Sequence, residues 1–165
     1  MIRDIFDQMT QALRMELQEY GALVGLLDDQ QTAILQGEPE TFIDLGSALH
    51  EQIALLGAHR ACREKTVQSF ARQCEQPETF SLSQLLVHMP ASVAGMIKAL
   101  IDEINALICR TQRRLRQNHV LLARCVSAAQ QSVVAAGGGE LVSTYGRAGN
   151  VKRMILAGPA RRAVA

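Results

Sequence analysis

The sequence is poor in the residues on which several other fold classes depend. Trp is absent, aromatic residues make up 4% of the 165 residues, and there are only 4 prolines. A β-sandwich draws on aromatic and β-branched residues, so the shortage of aromatic residues disfavours that class. Ala, Leu, Gln, Arg and Glu recur throughout, and most of these favour helices. The composition therefore predicts an all-α protein.

No stretch of the sequence is suited to crossing a membrane or to forming a disulfide framework. The longest apolar runs fall far short of the roughly 20 residues that a membrane span needs. Asp4 and Asp7 interrupt the first apolar residues, which argues against a signal peptide. The cysteines are widely spaced and form no Cys-x-x-Cys pair. We therefore expect a cytoplasmic protein without membrane insertion, whose cysteines act as small hydrophobic residues.

Two long helices that form an antiparallel hairpin are predicted over the first half of the chain. In residues 2–36, apolar residues recur in steps of three and four and leave Glu16 and Gln30 as polar exceptions. A Gly-x-Pro sequence at 37–39 ends this helix and begins the next, which should run to about Cys74. Because only a few residues connect the two helices, they should pack side by side.

The apolar pattern of the second helix weakens over residues 58–64 and stops over residues 75–90. Charged residues such as Arg63 replace apolar ones in the first stretch, so a bend in the helix would fall there. In the second stretch, Ser81 and Gln84 have the spacing of a capping box. We therefore expect one short helix between the second and third long helices.

A third and longest helix is predicted over residues 91–136. Its apolar band is too wide for a narrow coiled-coil seam and should pack against two neighbours. Thr111, Asn118 and Ser132 are the polar exceptions. Such a helix would be roughly 70 Å long, so its C-terminal part should extend past the other helices or cover a segment of another protein. Three long antiparallel helices thus predict an elongated coiled-coil-like bundle.

Residues 137–165 differ in composition from the predicted bundle. Three glycines at 137–139 end the last helix, and the residues that follow are rich in Gly, Ala and Arg. Apolar residues are sparse in this segment, and their burial cannot offset the entropy lost when the chain becomes ordered. Residues 151–156 could form a short turn on binding. We therefore divide the chain into a helical bundle, residues 1–136, and a flexible basic tail, residues 137–165.

Charge is distributed unevenly along the chain, although the formal net charge is only +1. Residues 1–40 contain 8 acidic and 2 basic side chains, whereas residues 91–136 contain 2 acidic and 6 basic ones. This asymmetry fits packing of an acidic first helix beside a basic last helix, and it also permits separate binding faces. The basic residues in the middle of the last helix are Arg110, Arg113, Arg114 and Arg116. No DNA-binding motif or interleaved aromatic residue surrounds them, so nucleic acid is not the expected partner.

The sequence contains no pattern typical of a catalytic, metal or cofactor site. The histidines are scattered, and no Glu-x-x-His motif is present. His59 and Cys62 lie about one helical turn apart, but two ligands do not make a metal site. The glycine run at 137–139 follows a helix, and no Gly-Lys-Ser/Thr comes after it, so it is not a phosphate loop. We expect a protein that is not an enzyme and that needs no cofactor or metal.

Three short stretches make the chain similar to a known family. They are LLDDQQTAIL at 26–35, Asn118 three residues before the Leu121–Leu122 pair, and TYGRAG at 144–149. With the order of its helices and tail, nearly the whole chain resembles the FlgN family of flagellar type III export chaperones. This resemblance implies a bacterial cytoplasmic protein that escorts hook-associated proteins to export.

The resemblance also implies two kinds of site. Family members are similar in holding the C-terminal helical segment of a hook-associated protein, here called the client, and such a helix needs an incompletely covered apolar face. The candidate residues on the third helix are Leu115, Asn118, Leu122, Cys125, Val126 and Val133, each of which could instead be an ordinary core position. In the tail, Tyr145 and Gly146 match the motif linked to docking on the export gate. The plainer interpretation of Tyr145 is an aromatic ring folded back on the bundle.

Two other functions are compatible with the same residues. A structural coiled-coil oligomer would use the apolar band as an interface between copies and would form a stable dimer. Weak self-association is compatible with a chaperone as well. A helical nucleic-acid-binding protein would depend on Arg113 and Arg114, and its binding would weaken sharply with added salt.

The predicted division of the chain can be tested by truncation after Gly139. If the tail does not contribute to folding, the truncated chain should keep its helicity and its cooperative thermal transition, both measured by circular dichroism. A truncated chain that melts without cooperativity would show that the tail is part of the folded structure.

Overall fold

The computed structural model describes the backbone of residues 2–137, 140–145 and 151–156, and the side chains of residues 4–136. The elements along these residues are α1 (Ile2–Gln36), α2 (Pro39–Gln73), α3 (Leu82–Leu85), α4 (Ala91–Gly137), β1 (Glu140–Tyr145) and β2 (Val151–Leu156). The bounds of α1, α2 and α4 agree with the predicted ones to within one residue. The all-α prediction with three long helices is therefore confirmed.

The described chain forms two compact units whose boundary lies within α4. The first unit is Met1–His119 and contains α1 to α3 and the first part of α4. The second unit is Val120–Ala165 and contains the rest of α4 and the two strands. The predicted division into a bundle and a flexible tail at residue 137 stays a prediction.

A glycine-terminated helix end joins α1 to α2. Gly37 has a φ of 72°, a left-handed conformation that favours glycine because it has no Cβ. The amide of Glu38 donates to the carbonyl of Ala33 at 3.0 Å, which satisfies one of the last carbonyls of α1. Pro39 then occupies the first turn of α2. The backbone N–H at this position would have no partner within the helix, so proline costs no hydrogen bond there. The chain therefore reverses over two residues.

The core of the first unit lies between α1, α2, the short α3 region and the start of α4. The rings of Phe6 and Phe70 meet edge to face with centroids 5.3 Å apart, which pairs the beginning of α1 with the end of α2 and makes them antiparallel. Met9 on α1, Leu85 on α3 and Ile97 on α4 are fully buried in the same cluster. Burial of this shared apolar surface is the main favourable term in folding the unit.

The connection between α2 and α4 closes one part of this core. As predicted, Ser81 and Gln84 form a capping box: the Gln84 amide donates to the Ser81 hydroxyl, and the Ser81 amide donates to Gln84 Oε1 at 2.7 Å. The α-helix ends at Leu85, and the chain continues over Leu86–His88 as a single 3₁₀ turn before Pro90. This geometry buries Leu85 and leaves the neighbouring Val87 82% exposed.

A polar pair replaces apolar packing at the middle of the α1–α2 hairpin. Glu16, the first polar exception in α1, is 2% exposed, and its Oε1 accepts a hydrogen bond from Arg63 Nε at 2.6 Å. Arg63 belongs to the stretch where the apolar pattern of α2 weakens, and α2 continues through that stretch as one helix. A buried pair of this kind contributes little net stability, but it disfavours shifted alignments, which would leave a charge buried alone.

The second unit contains secondary structure that the sequence did not predict. β1 and β2 pair antiparallel, with Glu140 opposite Leu156 and Tyr145 opposite Val151. The expected turn over residues 151–156 is a strand instead. The physical reason is local composition: both segments are rich in β-branched and long apolar residues, which favour extended backbone. A two-stranded ribbon is marginally stable by itself in water.

Substitution of the two residues on either side of Leu86 compares a buried with an exposed apolar position in the α3 region. Leu85→Ala should lower the free energy of unfolding by about 2–5 kcal/mol, because it leaves a cavity in the core. Val87→Ala, the control, should change it by less than about 0.5 kcal/mol. Urea unfolding followed by circular dichroism measures both, and equal effects would contradict the position of Leu85 in the core.

Candidate binding face on the last helix

Two apolar residues of the first unit are exposed, although each lies on a helix face that also contains buried apolar residues. Ile53 lies between the buried Leu49 and Leu56 in the stripe of α2, yet it is 57% exposed. Leu115 lies eleven residues after the buried Ile104, which returns it to nearly the same face of α4, yet it is 56% exposed. The apolar face of α4 is thus only partly covered within this unit.

Asn118, one of the predicted client-binding residues, lies inside the first unit. It is 3% exposed, and its side-chain amide donates to the carbonyl of Leu27 at 2.8 Å and to Gln30 Oε1 at 3.3 Å. Gln30 and Asn118 are polar exceptions of their respective helices, and the structure brings them together. With its amide used in this way, Asn118 can position α4 on α1 but does not present a surface to a partner.

Arg114 attaches the same part of α4 to α1. Its guanidinium forms an ion pair with the carboxylate of Asp28 and donates to Gln31 Oε1 at 2.6 Å. Arg110 approaches the same carboxylate at 3.9 Å. Acidic α1 and basic α4 are thus paired within the molecule at this contact, which is one of the two interpretations of the uneven charge distribution. Arg113 remains exposed.

In the second unit, the rest of α4 is uncovered. None of the described residues 120–136 is buried. Val126 and Val133 are 44% and 59% exposed, Leu122 is half-buried, and the Cys125 side chain is exposed. Leu122, Val126 and Val133 are separated by four and seven residues, so they share one face of the helix. Together they form an apolar face on the stretch of α4 between 120 and 136, in which no described residue is buried.

This stretch of α4 is also nearly free of charge. Arg124 is the single charged residue between positions 120 and 136. A surface helix of a soluble protein ordinarily carries charged residues on its solvent side. An exposed helical stretch with apolar residues and one charge is typical of a surface that another protein covers.

Comparison with protein families decides what kind of protein this is. The chain matches the family described as "FlgN protein" over residues 1–153, which is nearly its whole length. The chain belongs to the FlgN family. Membership implies a flagellar export chaperone, and this is a chaperone family that is not known for enzymatic activity. Searches of curated proteins and of solved structures give no match.

The match extends over both kinds of site that the sequence analysis predicts for a FlgN-family protein. It covers the exposed face of α4 and the Tyr145 position at the end of β1. Gly146, the other predicted export-gate residue, lies outside the described residues. No helix among the described residues is long and apolar enough to cross a membrane.

A groove between α1 and α2 is a feature that the sequence analysis missed. Its volume is about 740 Å³, and its lining includes Met15 from α1 and His59 and Cys62 from α2. His59 Nε2 is 3.8 Å from Glu19 Oε1, so one of the two residues considered for a metal site is close to a carboxylate. Among the described residues, no group of three or more His, Cys, Asp or Glu side chains is placed to hold a metal ion. The groove depends on the packing angle of two helices, which no local sequence signal records.

The cysteines of this FlgN-family protein differ in exposure and should differ in reactivity. Cys62, Cys109 and Cys125 are exposed, whereas Cys74 is half-buried, and burial raises the pKa of the Cys74 thiol above its usual 9.0. Because the thiolate is the reactive form, Cys74 should be alkylated more slowly than the other three at pH 8, and raising the pH should speed its reaction. Mass spectrometry of iodoacetamide-treated protein measures the four rates. Fastest labelling at Cys74 would contradict this burial.

Proposed function

We propose that this protein is a cytoplasmic chaperone that binds the C-terminal helical segment of hook-associated proteins and delivers them to the flagellar export apparatus. The observation that supports it best is a nearly uncharged face of α4 on which Val126 and Val133 are exposed and Leu122 is half-buried. Family membership limits the function to flagellar export, and the exposed face indicates where a client would bind.

An amphipathic helix is the partner that fits this face. Apolar anchors spaced one turn apart along the client would lie against Leu122, Val126 and Val133, and the rest of the client helix would stay in water. Each apolar side chain that becomes fully buried contributes about 1.5–3 kcal/mol, while association costs about 4–15 kcal/mol. A few anchors of this size therefore give a modest affinity, which suits a chaperone that must release its client.

The predicted client-binding residues take different roles in this proposal. Leu122, Cys125, Val126 and Val133 contact the client directly, because all four lie between residues 120 and 136, where no residue of α4 is buried. Leu115 is exposed in the first unit and keeps its predicted contact role. Asn118 holds α4 on α1 through Leu27 and acts by position rather than by touching the client.

Docking on the export gate is assigned to the tail, through Tyr145 and Gly146. Tyr145 is the last residue of β1 and stands opposite Val151 in the ribbon. Gly146 follows it directly in the sequence and lies outside the described residues.

The two alternatives have specific tests. A structural oligomer would cover the α4 face with a second copy, and light scattering would find a dimer that persists on dilution. Nucleic-acid binding would need the basic cluster of α4 in a free state, but Arg114 is paired with Asp28 and Gln31. Neither alternative has an observation that favours it over the export chaperone.

Substitution of Leu122 tests the client-binding face. Leu122→Asp should weaken binding of a client's C-terminal peptide at least about tenfold, because a charge would be buried against an apolar partner. Helicity should change little, because Leu122 is not buried in the free protein. Isothermal titration calorimetry with the peptide measures the affinity.

Val120→Asp is the matched control for this experiment. Val120 is two residues from Leu122 and therefore lies about 200° around the helix, and it is 48% exposed. The control should bind the client as the unmodified protein does. Undiminished binding by Leu122→Asp, or equal loss in both variants, would contradict a client site on this face.

Tyr145 tests delivery separately from binding. Tyr145→Ala should retain client affinity, because the tyrosine is not part of the α4 face, but should reduce export of the hook-associated proteins and hence motility. Tyr145→Phe is the conservative control that keeps the ring. Motility in soft agar and client secretion measure the effect, and normal secretion with Tyr145→Ala would contradict a docking role.

A further inference from the structure

α4 is attached to the first unit by two surfaces of different chemistry. Near its beginning, Ile97 and Ile104 are buried in the shared core, with 0% and 6% exposure. After Ile104, the only buried residue among those described in α4 is Asn118. The later attachment is therefore polar, whereas the earlier one is apolar.

The polar attachment, which we name the polar seam, joins the end of α1 to the middle of α4. Its members are Asp28, Gln30 and Gln31 on α1 and Arg110, Arg114 and Asn118 on α4. Asp28 is 38% exposed and Arg114 is 28% exposed in their side chains. Water and salt can therefore reach the ion pair, and a pair of this exposure contributes little net stability.

Two buried polar atoms beside these contacts have no hydrogen-bond partner. They are Oδ1 of Asn118 and Oγ1 of Thr111, which stands two turns earlier on the same helix. A buried polar atom that lacks a partner opposes folding, because it has lost its hydrogen bond to water. Opening of the seam would return both atoms to water, so the closed state gains less from this contact than from the apolar one.

We propose that the polar seam is a latch: α4 detaches from α1 over residues 110–118 in the native state while its attachment at Ile97 and Ile104 remains closed. Each seam contact can be replaced by water on opening, whereas the apolar attachment has no such replacement. Detachment would uncover the face of α1 around Leu27, which is 2% exposed when the seam is closed. This inference concerns the free protein and holds whether or not the proposed client site is correct.

Hydrogen exchange of the full-length protein tests the latch. A detached helical segment without tertiary contacts unfolds readily, so amides of residues 110–118 should exchange at least about tenfold faster than those of residues 97–107 in the same helix. Raising the salt from about 0.05 M to about 0.5 M should speed exchange at 110–118, because it screens Asp28 and Arg114. Exchange at 97–107 should not respond.

Substitutions in the seam provide the sharper comparison. Arg114→Gln should speed exchange at 110–118 severalfold and weaken its salt response, since only the more distant Arg110 would remain near Asp28. Thr111→Val replaces the unpartnered Oγ1 by a methyl group and should slow exchange there. Lys98→Ala, which removes an exposed ion pair with Asp102 in the apolar part of α4, is the matched control and should leave residues 110–118 unchanged.

The proposal has a clear opposite outcome. Exchange at 110–118 that is as slow as at 97–107 at both salt concentrations would show that the seam is a rigid part of the fold. A lack of response to Arg114→Gln would equally overturn it. Because the Arg114 side chain is 28% exposed, Arg114→Gln should fold, so its result stands even if Thr111→Val fails to fold.

Discussion

The structure of the first unit depends on burial of one apolar stripe along α1. Met9 and Leu13 of that stripe are fully buried, and the stripe is shared by α2, the α3 region and the start of α4. Most of the stability of a helix in a protein comes from packing of its apolar face, so the other elements are stabilised by their contact with α1. α1 is therefore the element on which both the hairpin and the attachment of α4 depend.

Polar residues interrupt that stripe at two positions, and both are paired across a helix contact. Glu16 meets Arg63 of α2, and Gln30 meets Asn118 of α4. Apolar side chains slide past one another at low cost, whereas a buried polar group is costly wherever it lacks its partner. The two interruptions thus specify the alignment of α2 and α4 on α1 at the expense of some stability.

The same division of chemistry connects fold and function. Where α4 packs through apolar residues, it is part of the core. Where it packs through Arg114 and Asn118, apolar surface of the helix remains exposed. Leu115, which lies between those two residues, is exposed in the first unit, and Val126 and Val133 are exposed in the second. An export chaperone requires such unsatisfied surface in the free state, since a client must gain apolar contacts that the chaperone does not already make within itself.

The sequence by itself determined the helices, their ends and the family. Periodicity placed α1, α2 and α4 to within one residue, because the 3.6-residue repeat and the Gly37 and Pro39 signals are local. The TYGRAG and LLDDQQTAIL stretches indicated the FlgN family for the same reason. Tertiary structure alone decided which apolar positions are covered. Ile53 and Leu49 carry the same pattern signal, but whether a neighbouring helix reaches them depends on packing distances over the whole bundle. It also decided that Asn118, a polar exception in the apolar pattern of α4, is bound inside against α1.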